Sequence, residues 1–306
     1  MAAGVAGAVG AAGAAQSAER GFPKRDFTGL WSNASYTDFE RPAELKTLVV
    51  TPAEAEAFEA SRRATFGMPA SKPGEVGQAE SEFNERGQGL ARVHGEIRSS
   101  WIIDPPNGHI PYTPQALAML GFDKTPRPES FDNPEDRPHG ERCLASLASG
   151  APMMIGADTN HFLFVQTKDV LAIYCEKYHD VRMIRLDGAP RPTPLVRSWM
   201  GDSVGGWDGD TLVVETVGFR PGLTSRGFRF YLSGDGRVVE RFTRTAADAF
   251  FYEFSVEDPT LFSQVWKGEI TWETAQGQIY EYACHEGNYA VRSILSAARQ
   301  AEAKGR

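Results

Sequence analysis

The chain has no long apolar run, no cluster of Lys and Arg and few cysteines, and each absence closes off a class of function. No segment approaches the ~20 apolar residues that a helix needs to cross a bilayer. The 306 residues carry a formal net charge of −8 with a pI near 5.4, so nucleic acid and anionic membrane surfaces are not expected partners. The three cysteines form no C-x-x-C, which argues against a structural zinc or a thioredoxin-like centre. Also missing are the phosphate loop G-x-x-x-x-G-K-[ST], a G-x-G-x-x-G opening a helix and H-E-x-x-H. No cofactor is expected, and no feature fixes an oligomeric state.

What remains is the composition of a globular protein, 41% hydrophobic and 24% charged. Residues 1–20 stand apart. Met1 to Ala15 is almost entirely Ala, Gly and Val, which bury little surface, and reads as the end of a secretory signal with a cleavage zone near Ala12 to Ala18. A basic n-region is missing, which implies that the signal begins upstream; the other reading is a low-complexity tail. Export makes a disulfide available. Cys143 and Cys284 lie at element boundaries and are the expected pair, whereas Cys175 sits inside an apolar strand run as a small buried hydrophobe.

Residues 21–306 read as one β-rich domain. Asp26 to Trp31 is an opening strand, and Leu45 to Val50 a second apolar stretch. Thr51-Pro52-Ala53-Glu54 is a capping box with Pro at the first helical position, predicting a helix to about Ala64. Residues 67–95 are polar, with weak helical signal at Ala79 to Phe83. A strand is expected at Ser99 to Asp104. Pro105 to Gly140 is proline-rich and should wrap as a long loop, with a short helix at Pro114 to Leu120.

From His161 onward, short alternating runs follow one another: His161–Thr167, Val170–Glu176, Val181–Leu186, Thr211–Val217, Phe228–Leu232, Arg237–Arg244, Phe250–Val256, Trp266–Trp272 and Gln278–Cys284. Gly205 to Asp210 reads as a tight turn, and Ser233-Gly234-Asp235-Gly236 as a hairpin turn. With short connections and no helix between them, the strands should pair antiparallel. The expected fold is mainly β: an up-and-down, lipocalin-like barrel or a curved two-layer sheet spanning 159–287. Residues 21–158 should wrap it. A helix over 288–304 should close it, with Asn288 as N-cap and an apolar stripe of Val291, Ile294, Leu295 and Ala298 packed on the sheet or plugging a mouth.

Two polar clusters carry the candidate chemistry. In Glu176-Lys177-Tyr178-His179-Asp180-Val181-Arg182, His179 is a candidate general base, Asp180 or Glu176 can fix its tautomer, and Arg182 can bind developing negative charge. The bland reading is a charged turn with an Arg–carboxylate bridge. In Gln278 to Tyr289, a strand would place Glu281 on a face with Ile279 and Ala283, where burial would raise its pKa, with His285 at the strand end. The bland reading makes His285 and Glu286 helix-capping residues and Cys284 a disulfide half. His179, Asp180, His285 and Glu286 are also metal-ligand types, but adjacent ligands seldom reach one ion, so no metal is expected. Tyr282, Glu176 and Trp207 are candidate substrate-binding residues.

D-F-T-G-L-W (Asp26 to Trp31), I-P-Y-T-P (Ile110 to Pro114) and E-R-C-L (Glu141 to Leu144) resemble a widespread, largely uncharacterised family of exported bacterial proteins. So do H-D-V-R-M-I-R-L-D-G (His179 to Gly188), W-D-G-D-T-L-V-V-E-T (Trp207 to Thr216) and Y-E-Y-A-C-H-E-G-N-Y (Tyr280 to Tyr289). The resemblance covers nearly all the chain after Asp26. It implies a periplasmic or secreted home and supports the Cys143–Cys284 pairing. Where the family carries Ser-Arg-Gly before W-D-G-D, this chain has Ser203-Val204-Gly205, which removes a basic contact.

The expected function is cofactor-independent acid–base catalysis on a small, largely apolar molecule (aromatic, terpenoid or polyketide-like) as a lyase, isomerase or hydrolase. The competing expectation is a periplasmic lipocalin-like binder that carries such a molecule unchanged. A purely structural or interaction protein is the third.

Overall fold

A computed structural model describes residues 22–66, 87, 89–124, 130–145, 149–156, 160–222 and 230–305. The signal-like residues 1–20 and the weak helical signal at Ala79 to Phe83 lie outside the described residues. The chain forms β1 (Gly29–Ser32), α1 (Pro52–Phe66), the two-residue strands β2 (Arg92–Val93) and β3 (Glu96–Ile97), β4 (Ile102–Asp104) and α2 (Pro114–Leu120). The sheet proper follows: β5 (His161–Gln166), β6 (Val170–Cys175), β7 (Val181–Arg185), β8 (Asp202–Asp208), β9 (Thr211–Val217), β10 (Arg237–Arg244), β11 (Ala249–Glu257) and β12 (Trp266–Thr274). Helix α3 (Ala290–Ala303) ends the fold.

Local chemistry sets the helix starts as expected. The Glu54 amide donates to Thr51 Oγ1 at 3.3 Å, and the Thr51 amide donates to Glu54 Oε2 at 2.8 Å, a complete capping box. At α2, Thr113 Oγ1 accepts from the Ala116 amide and Pro114 opens the helix, while Gly121 ends it in the left-handed conformation at φ 65°.

The strands run in the order β1-β5-β6-β7-β8-β9-β10-β11-β12, and β1 pairs with β12, so the sheet closes into a barrel of the expected kind. β4 adds to β12 beyond the closure. Alternation places Phe162 and Phe164 of β5, Phe242 of β10, Phe250 and Tyr252 of β11 and Trp272 of β12 inside, all fully buried. Their rings pack edge-on, tilted or stacked with Trp31, at centroid distances of 4.9–6.5 Å. The middle of the barrel is thus filled with side chains. One end is closed by Phe27, stacked on Trp207 at 6.2 Å, and by the Arg244 guanidinium 4.8 Å from the Trp31 ring.

Five expectations are corrected. The sheet is not wholly antiparallel: β7 and β8 run parallel through Ile184↔Ser203 and Arg185↔Val204, because residues 186–201 form a crossover long enough to return the chain to the same end. Gly205 and Gly206 are in β8, and only Gly209-Asp210 turns. A Cβ on Gly205 would meet Leu186 Cδ2 at 2.8 Å, so the glycine permits the close approach of β8 to β7. Of Phe228–Leu232, the described residues 230–232 are irregular, and Phe230 is instead a core side chain. Gln278–Cys284 is no strand, because β12 is already flanked by β11 and by β1 and β4, leaving no ladder to join. Helix α3 has no buried residue and plugs no mouth; Asn288, just before it, donates to Glu141 O and Cys143 Sγ, and Arg299 within it donates to Asp132 O.

Candidate functional site: the cleft at the parallel seam

The parallel junction is, with the β1–β12 closure, one of two places where the barrel wall is paired through only two residues of each strand. β6 pairs with all of β7, but β8 meets only its last two residues, so Val181, Arg182 and Met183 have no ladder partner on that side. Leu144, Ala145 and the crossover residues 198–201 flank the opening. Between them lies an open cleft of about 430 Å³, walled by Leu144, Val181, Met183, Trp199 and Met200, with Asp180, Arg185, Asp202 and Ser203 contributing polar groups. Val181 and Met183 are about half exposed there.

Arg182 forms the inner floor, and its bonding decides what it can do. Its Nε donates to Ser203 Oγ at 3.1 Å, Nη1 to Gly150 O at 3.2 Å and to Glu240 Oε1 at 2.9 Å, and Nη2 to Thr216 Oγ1 at 2.9 Å and to Glu240 Oε2. All five guanidinium N–H groups are used. Burial alone would lower the Arg182 pKa, but the Glu240 carboxylate more than offsets it and holds the guanidinium charged. The Tyr252 hydroxyl donates to Glu240 Oε1 at 2.7 Å and accepts from the Met153 amide at 2.9 Å. Burial and then Glu240 push the Tyr252 phenol well above 10, so it stays a neutral donor. Arg182 is therefore a structural cross-tie from β7 to β8, β9 and β10, not the free anion-binding group expected from the sequence.

The other sequence candidates are placed as follows. Asp180 lies at the cleft edge and accepts from Ser149 Oγ at 2.9 Å. Glu176 precedes, and His179 ends, the short 3₁₀ turn Lys177–His179; His179 is exposed. Tyr178 and His179 both take left-handed backbone, at φ 61° and 50°, a costly conformation for bulky residues. Glu281 and His285 are exposed, so the expected buried acid is absent from that stretch. Tyr282 packs edge-on against Tyr178 with centroids 5.2 Å apart. The two polar clusters thus meet through their tyrosines. Trp207 lies four residues along β8 from Ser203, about 13 Å at strand rise, in the far end cap. Cys143 and Cys284 form the expected disulfide, with Cα atoms 5.8 Å apart, and Cys175 is buried and free, its thiol pushed up by burial.

Sequence reasoning missed Glu240, Tyr252, Ser203 and Thr216. The signal for Glu240 was available: it shares a strand face with Val238 and Phe242, the alternation that marks an inward position. A second buried ion pair was missed outside the barrel. Glu269 accepts from Arg98 Nη2 at 2.8 Å beneath the β2–β3 hairpin, whose His94 packs on Phe251 with centroids 4.5 Å apart. No family model, curated protein or solved structure matches the chain.

Proposed function

We propose that the protein is an exported binder of a small, largely apolar molecule, held in the outer cleft at the β7–β8 seam. The observation that carries this reading is the cleft itself: apolar walls from Leu144, Val181, Met183, Trp199 and Met200, with charge at the edge from Asp180, Arg185 and Asp202. Such a mixture suits an apolar body with one hydrogen-bonding group. The filled barrel interior favours an outer site over a lipocalin-style central one. Export is supported by the Cys143–Cys284 bridge and by the resemblance of the long motifs to exported bacterial proteins.

Turnover in the same cleft is the second reading, of the lyase, isomerase or hydrolase type. It is favoured by Asp180 at the cleft edge beside the left-handed Tyr178–His179 pair, since backbone strain concentrates at functional positions. Asp180 would then be the acid–base group, with His179 its exposed neighbour.

Titration with a neutral, environment-sensitive naphthalene dye tests the binding site. One site is expected, weakened at least ~10-fold by Met200→Asp, about 1.4 kcal/mol, and also weakened by Trp199→Ala. Unchanged affinity in both folded variants contradicts the cleft assignment. Turnover is read separately, by product formation from aromatic and terpenoid esters or lactones in wild type and Asp180→Asn.

A further inference from the structure

Two walls of the cleft are fastened, at the same end, to one short stretch of the tail. On one side, Leu144 and Ala145 line the cleft directly after Cys143, which is bonded to Cys284. On the other, Asp180 and Val181 line it directly after the turn Lys177–His179. Tyr178 of that turn packs on Tyr282 with ring centroids 5.2 Å apart, and Lys177 Nζ lies 5.7 and 5.9 Å from the two rings. Tyr282 and Cys284 are near neighbours in the chain, so the tail spans the two walls as a clip. The bridge is its covalent half. A direct bond between the walls here, from the Tyr178 hydroxyl to Gly140 O, is long at 3.4 Å and correspondingly weak.

We propose that the Cys143–Cys284 bridge is a redox switch on the cleft: oxidised, it holds Leu144 and Ala145 in the ligand-binding position, and reduced, it releases that wall and the ligand with it. The inference rests on the ligand-binding reading of the cleft. Backbone conformation supplies the movement. Cys143 takes the left-handed conformation at φ 51°, which a non-glycine residue holds only at a cost. Cutting the bridge removes a constraint that keeps it there, and relaxation of Cys143 redirects the two residues that follow. The Arg182–Glu240 cross-tie beneath the cleft involves neither cysteine, so the barrel keeps its form.

The bridge is placed to be opened from one side. Cys284, together with Gly140, Glu141, Tyr282 and Asn288, lines a second surface pocket of about 420 Å³, to which Cys143 does not contribute. An incoming thiolate therefore meets Cys284 Sγ. Its bond to that sulfur forms as the S–S bond breaks, and the electron pair leaves on Cys143 Sγ. That sulfur accepts from Asn288 Nδ2 at 3.0 Å, a donor that stabilises the departing thiolate and speeds the exchange. With a dithiol as reductant, the second thiolate attacks the reductant's own sulfur in the mixed disulfide and frees Cys284. Two electrons and two protons pass to the protein, which becomes a dithiol, and the reductant becomes a disulfide.

Dye binding by the full chain, before and after reduction with dithiothreitol, tests the switch. Reduction should raise the dissociation constant of the naphthalene dye at least ~10-fold, and reoxidation with oxidised glutathione should restore it. Cys284→Ser should bind as the reduced protein does. In ¹³C-methyl methionine spectra without dye, reduction should shift the cleft methyls of Met183 and Met200 and leave the core methyls of Met153 and Met154 in place. Asn288→Asp keeps the side-chain oxygen that accepts from the Ala290 amide but loses the donor to sulfur. It should slow reduction about 10-fold, the worth of one hydrogen bond to a charged atom. Equal dye affinity in both redox states overturns the switch and leaves the binding site standing. So do cleft methyls that stay unmoved, or core methyls that move with them, which is unfolding. An unchanged reduction rate in Asn288→Asp overturns the assigned direction of opening. If the dye binds in neither state, the binding reading fails, and the methyl shifts on reduction still decide whether the bridge controls the wall.

Discussion

Arg182 has five N–H groups, and the barrel interior supplies five acceptors, two of them on Glu240. A pair so deeply buried stabilises the fold only while it is complete, because a lone buried charge is far more costly than an apolar replacement. Arg182→Met should therefore cost about 3–5 kcal/mol in urea unfolding. The triple replacement Arg182→Met/Glu240→Leu/Tyr252→Phe should recover most of that loss, and a triple variant weaker than the single one contradicts the cross-tie. Glu269 gives a pH signature. Burial pushes its carboxyl above 4.5, against the pull of Arg98 and His94, while Glu253 and Glu96 push it up further. The folded state then holds the proton more tightly than the unfolded one, so this contribution is full below about 4.5 and fades as pH rises through the folded pKa. The stability of wild type relative to Glu269→Gln should fall as pH rises above about 4.5; a constant difference in urea melts contradicts it. At this scale the sequence was half legible. Arg182 stood out, but its role depended on Glu240, a partner 58 residues away that no local pattern connects to it.

Among elements, the strands were readable because alternation is local: each of the long runs from Thr211, Arg237 and Phe250 carries its inward face in its own residues. The stretch Gln278 to Tyr289 shows where that logic stops. It alternates like a strand, but a strand needs an edge, and the edge is consumed when β1 pairs with β12. The tail instead hangs on point attachments: the Ala275 amide to Leu30 O at 2.9 Å, the Tyr178–Tyr282 ring contact and the Cys143–Cys284 bridge. The bridge spans a sequence separation of 141 residues. Cys284→Ser should cost about 2–5 kcal/mol, and limited proteolysis should then cut first within 276–289. Cleavage beginning inside β5 to β12 contradicts this account of the tail.

The whole molecule is a closed barrel with a filled middle and a short parallel seam between β7 and β8. That it is a barrel was legible from the number and spacing of its strands. The parallel seam was not, since it is made by a crossover whose ends meet only through long-range pairing. Yet the seam is where the cleft lies, so the site was found by topology more than by motif. The expected quintet of His179, Asp180, Arg182, Glu281 and His285 contributes only Asp180 and Arg182 to the cleft. The central claim is that an apolar ligand binds there and not inside the barrel. The methionines report on both places: Met183 and Met200 line the cleft, while Met153 and Met154 are buried in the core. In a ¹³C-methyl methionine NMR titration with a bound ligand or the dye, the Met183 and Met200 methyls should shift while Met153 and Met154 stay fixed. Shifts of Met153 and Met154 with Met183 and Met200 unmoved would contradict it.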